Sequence, residues 1–126
     1  MIRRLFFLNV LLIPALVWAQ QVDDSRPGDV LLTEVMADPS GLTALPQTEY
    51  VEIYNASGDD ILLKGWVFVY MTTETVLPDV VLPAGGYAVL YRSGNDITVA
   101  SGALSLGIDK FPYALANDGR TIVIKN

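Results

Sequence analysis

From Gly28 onward the chain never sustains a 3.6-residue apolar period over three turns, so no helix is predicted there. Short runs rich in Val, Ile, Leu, Tyr and Thr recur instead between clusters of Pro, Gly, Asn and Asp. That punctuation is the spacing of a β-sandwich or barrel. The runs read as strands over 30–36, 48–55, 61–63, 66–73, 75–77, 80–82 and 87–92. Asp38-Pro39-Ser40-Gly41, Ala56-Ser57-Gly58-Asp59-Asp60 and Pro83-Ala84-Gly85-Gly86 carry turn chemistry between them. Residues 93–106 read as a loop holding a weak strand. Runs at 111–116 and 121–125 flank Asn117-Asp118-Gly119-Arg120 and predict a hairpin, because Gly, Asn and Asp tolerate positive φ. No internal repeat is visible. The predicted class is all-β.

The first residues read as an address. Arg3 and Arg4 form a positive start, and Leu5 to Trp18 is apolar except for Asn9. This run is too short and too poorly flanked to span a bilayer. Val17-Trp18-Ala19 places small or modest residues at the positions a signal peptidase reads, which predicts a signal peptide over 1–19 cut after Ala19. Residues 20–28 are polar and acidic and read as a linker, leaving 29–126 as the domain. The expectation is an exported chain, extracellular or in the cell envelope or periplasm, with no stable membrane span after cleavage.

Composition narrows the chemistry. The chain has 126 residues with no Cys and no His. Missing His removes Ser-His-Asp and Cys-His triads and imidazole-ligated metals. Missing Cys removes disulfides, thiol chemistry, thiolate metal sites and a lipid-bearing cysteine. Losing Arg3 and Arg4 with residues 1–19 leaves six basic against fourteen acidic residues, a net charge of −8. Arg26, Lys64, Arg92, Lys110, Arg120 and Lys125 are scattered, so this charge disfavours nucleic acid as a partner.

Several pieces, in order, resemble a known family. Glu34-Val35-Met36, Glu49-Tyr50-Val51-Glu52-Ile53-Tyr54-Asn55, Gly65-Trp66 and Leu82-Pro83-Ala84-Gly85-Gly86-Tyr87 are similar to the lamin tail domain, most like its bacterial, exported version. The resemblance runs from about Asp29 to the end. It implies an immunoglobulin-like β-sandwich with a non-catalytic interaction or tethering role, often as one module of a larger protein. The family pattern continues past the strand at 121–124 through a Gly-containing turn to a closing strand, whereas this sequence stops at Asn126. Two expectations follow: a fragment of a longer reading frame, which is the plainer one, or a sandwich with an unpaired last strand open to strand addition.

Candidate sites are few. In the run from Trp66, alternation sends Trp66, Phe68 and Tyr70 to one side and Val67, Val69 and Met71 to the other. The first set reads as core. The second is equally apolar, and Ala88 and Leu90 repeat the pattern opposite Tyr87, Val89 and Tyr91. If the two strands share a sheet, Val67, Val69, Ala88 and Leu90 form an apolar docking patch for a protein or cell-surface partner or a neighbouring domain. The plainer alternative covers that patch with residues 93–110. A second candidate is Tyr50, Glu52 and Tyr54, which share one face and suit a carbohydrate or peptide; cross-strand packing is their plainer role.

Glu34, Asp38, Glu49 and Glu52 raise the question of a catalytic carboxylate pair, which needs two carboxyls about 5–10 Å apart across a cleft. A small sandwich offers little room for such a cleft, so no enzyme is expected. Asp23-Asp24, Asp59-Asp60 and Asp118 have the ligand type for calcium but no Ca²⁺-loop spacing, and turn formation accounts for Asp59, Asp60 and Asp118 without an ion. No cofactor or metal is expected.

Overall fold

The computed structural model describes residues 25–41, 46–95 and 97–126. The predicted signal peptide and the linker up to residue 24 lie outside the described residues, as do Asp23 and Asp24. The described residues form nine strands and no helix: β1 (Val30–Met36), β2 (Tyr50–Asn55), β3 (Ile61–Leu62), β4 (Val67–Tyr70), β5 (Thr73–Val76), β6 (Val81–Leu82), β7 (Tyr87–Arg92), β8 (Leu104–Ile108) and β9 (Ile122–Lys125). They assemble into a four-stranded sheet ordered β1-β2-β7-β8, a two-stranded sheet β3-β6, and a three-stranded sheet β5-β4-β9. Only β7 and β8 pair in parallel.

Two layers face each other across one apolar core. Val51, Ile53, Ala88, Leu90, Leu106 and Ile108 come from the large sheet, and Trp66 and Phe68 from the β4 layer. Ile61, Leu63, Leu77 and Leu82 close the space between them. Trp66 and Phe68 are core, as alternation requires. Each large side chain taken out of water contributes about 1.5–3 kcal/mol before conformational entropy is set against it. Two tight turns set the path of the chain. In Leu63–Trp66 and Pro83–Gly86 the fourth N–H donates to the first carbonyl, at 3.1 and 2.8 Å. The third residue of each, Gly65 or Gly85, has φ of 87° or 68°, which a side chain would resist.

Three segments depart from the expectations. The run from Trp66 ends sooner than 73, because Met71 and Thr72 form a two-residue hairpin turn between paired Tyr70 and Thr73. Met71 takes φ 56° although it is not glycine. Met71 is half-exposed, so Met71→Gly is expected to relieve the left-handed backbone and stabilise the fold by up to about 1 kcal/mol. Urea unfolding checks this, and a loss of stability would show that the turn does not carry that strain.

Within 93–106, the weak strand is real but longer and later: β8 runs to Ile108 and adds to the edge of the large sheet beside β7. The predicted hairpin around Asn117–Arg120 does not form. Residues 111–116 are not a strand, and β9 pairs with β4 instead. Phe111 and Leu115 turn inward as a plug, and the Phe111 ring stacks on Phe68 at 5.5 Å between centroids. Two strands and the residue before β2 hold the plug. Arg92 Nη1 donates to the Phe111 carbonyl at 2.8 Å, Glu49 Oε2 accepts from Leu115 N at 2.5 Å, and the Tyr70 hydroxyl accepts from Ala116 N at 2.9 Å.

Candidate interaction surface

The structure does not bring Val67, Val69, Ala88 and Leu90 together. β4 and β7 belong to different sheets, and Ala88 and Leu90 are fully buried in the core between them. The phase of β7 is the reverse of the one expected. All five residues from Tyr87 to Tyr91 are apolar or aromatic, so alternation alone carries no direction. The packing faces the compact Ala88 and Leu90 inward and leaves the tyrosines, whose hydroxyls need polar partners, outside. Within 93–110, Leu104–Ile108 does not fold over a patch; it extends the sheet as β8. Val67 and Val69 remain on the outer side of β4, half-buried among Val76 and Val123. There the Lys125–Glu74 pair at 2.5 Å neutralises its own charge.

The outer face of the large sheet is different. Register lines up three rows across it. Leu31, Tyr54 and Tyr87 form the first; Glu34, Glu52, Val89 and Ser105 the second; Met36, Tyr50, Tyr91 and Gly107 the third. Two tyrosine pairs therefore flank a row bearing two glutamates. Tyr54 and Tyr87 pack with centroids 4.6 Å apart. The Ser105 hydroxyl donates to the Tyr91 hydroxyl at 3.0 Å. A bulge at Thr33 puts Glu34 opposite Glu52, and the Thr33 hydroxyl donates to Glu52 Oε1 at 2.7 Å. Like charges directly opposite destabilise a sheet by about 0.2–1 kcal/mol. Among the described residues no Lys or Arg comes within ion-pair distance of either glutamate.

Tyr50 and Val89 are the covered members of this face, 7% and 6% exposed. The burial of Tyr50, then its hydrogen bond to Glu34, and then the charges of Glu34 and Glu52 push its hydroxyl up to about 12. The folded chain thus favours neutral Tyr50. The stabilisation this gives is complete below about pH 10, the ordinary tyrosine value, and is lost as pH rises through the folded value of about 12. Absorbance titration should find one late tyrosine, and Glu34→Gln should bring it back towards 10. A late transition unmoved by that substitution would leave burial and the Glu52 charge as its causes.

Tyr50, Glu52 and Tyr54 thus share a face, as alternation implies. Sequence reasoning did not add Glu34, Tyr87 and Tyr91. The signal was present in the equal four-residue spacing of Tyr50/Tyr54 and Tyr87/Tyr91, which matches two paired strands. Of the carboxylates considered for catalysis, Glu34 and Glu52 stand opposite each other on the sheet face, whereas Asp38 and Glu49 line a separate open cleft and each is engaged by backbone N–H. Glu49 holds Leu115, and the Asp38 carboxylate accepts from the Ser40 hydroxyl and N–H, which lower its pKa. Asp60 Oδ1 accepts from Ala84 N at 3.0 Å, and Asp118 pairs with Arg120 at 2.7 Å.

The sequence model of the family described as Lamin Tail Domain matches residues 23–126. The chain belongs to the lamin tail domain family. No curated protein and no solved structure gives a match. Lamin tail domains are immunoglobulin-like interaction domains of a non-enzymatic family, and the two facing layers of this lamin tail domain are that β-sandwich. The face offered by β1, β2, β7 and β8 carries Tyr50, Tyr54, Tyr87 and Tyr91.

Proposed function

We propose that this lamin tail domain is an exported, non-catalytic tethering module that holds a protein partner on the tyrosine face of its four-stranded sheet. The observation that carries the reading is the pairing of Tyr54 with Tyr87 and of Tyr50 with Tyr91 on the side of the large sheet turned away from the main core cluster, where Tyr54, Tyr87 and Tyr91 remain accessible. Tyrosines supply large contact area at low entropic cost and are enriched where interfaces draw most of their energy. Export is supported by the order of positive start, apolar run and small-residue site over residues 1–19.

A photo-reactive phenylalanine analogue placed at position 87 of the full chain in cells should yield one discrete protein adduct. The same probe at position 123, on the other sheet, should not. Equal adducts from both positions would sink the docking face. Retardation by polysaccharide in native gels, lost in Tyr54→Ala, would replace the protein partner by a carbohydrate. The N-terminal residue of the mature chain should be Gln20, and a mature chain still carrying residues 1–19 would overturn export with cleavage.

A further inference from the structure

We infer that the tyrosine face receives a basic peptide segment, whose arginine or lysine side chain lies over Glu34 and Glu52 between the two tyrosine rows. This rests on the docking role above and adds the chemistry of the partner. Rows two residues apart along a strand are separated by roughly 7 Å. A cation seated over the middle row therefore meets carboxylates beneath it, and a lean of about 1 Å towards one tyrosine row brings it within about 6 Å of an aromatic ring, the reach of a cation–π contact.

Among the described residues no Lys or Arg side chain is ion-paired with Glu34 or Glu52. Lys64 is paired with Asp79, Arg120 with Asp118 and Lys125 with Glu74. The Arg92 guanidinium lies 3.5 Å over the Tyr113 ring while donating to the Phe111 carbonyl. That contact shows within this molecule the arginine-on-tyrosine geometry the face would offer a partner. Arginine fits better than lysine, because its planar fork addresses carboxylate oxygens and rings together. The chain's excess of acidic residues draws a cationic segment in from a distance and repels polyanions.

The test titrates the full chain with an oligo-arginine peptide and, separately, an oligo-glutamine peptide, reading affinity by calorimetry and location by amide chemical shifts. Oligo-arginine should bind with a marked salt dependence and shift residues of β1, β2 and β7, and oligo-glutamine should not bind. The charge-removing pair Glu34→Gln/Glu52→Gln should weaken binding about tenfold. Glu74→Gln/Asp79→Asn, which removes the same number of charges elsewhere, should leave it nearly unchanged. Equal weakening by both pairs, or shifts away from the face, would overturn the inference by reducing it to net charge. If the adduct from position 87 forms as well in Glu34→Gln/Glu52→Gln as in the native chain, the basic-partner inference falls while the docking role stands.

Discussion

Phe111→Ala is expected to destabilise the domain by about 3–5 kcal/mol, the cost of emptying a buried aromatic site. Phe111 is 1% exposed and stacked nearly parallel to Phe68, with an angle of 8° between the rings. The surrounding wall cannot collapse easily, because Arg92, Glu49 and Tyr70 hold the backbone of the plug in place. For a domain of this size the melting point should fall by roughly 12 °C or more. A residue on a surface hairpin would lose far less. Urea and thermal unfolding of Phe111→Ala decide the matter: a loss under about 1 kcal/mol would return 111–116 to the surface.

Asn55→Ala is expected to cost about 3 kcal/mol, for a different reason. Asn55 is fully buried and polar. Its Nδ2 donates to the carbonyls of Asp59 and Leu82, at 2.8 and 2.9 Å, and its Oδ1 accepts from the Ser57 N–H and hydroxyl. The side chain thereby fastens the β2–β3 turn to the end of β6. Truncation strands the buried Leu82 carbonyl, which costs about 1–3 kcal/mol, and releases the Ser57 and Asp59 ends of the turn. Asn55→Asp should also destabilise, because a carboxylate cannot donate to the two carbonyls. Wild-type stability in either variant, measured by the same unfolding curves, would mean that the turn has another anchor.

Much of the fold was legible. β1 and β7 fall on the expected residues, since turn clusters bound both sharply and both are long enough to show β composition. Three features were not, each for a local physical reason. Met71-Thr72 contains none of the usual turn residues, so the chain reads straight through a hairpin that the pairing partners impose. β8 carries Ser105 and Gly107 and pairs in parallel, so neither strong β composition nor a hairpin turn announces it. Phe111 and Leu115 sit beside a strong turn signal, and only their burial distinguishes a plug from a strand. The candidate face was half visible. Tyr50, Glu52 and Tyr54 stand together by alternation within one strand, whereas Glu34, Tyr87 and Tyr91 join them through pairings that lie outside local sequence.

The pairing of β4 with β9 has a bearing on how the chain comes to be folded. β4 is the central strand of its layer, and one of its two neighbours is delivered more than fifty residues later. A polypeptide emerging from its N-terminus, whether from a ribosome or a narrow secretion pore, cannot seal that layer until Ile122–Lys125 arrive. Until then Phe68 lacks its full wall, and the nascent chain stays open and threadable. Late closure of this kind fits the export proposed above, in which the chain travels before it sets.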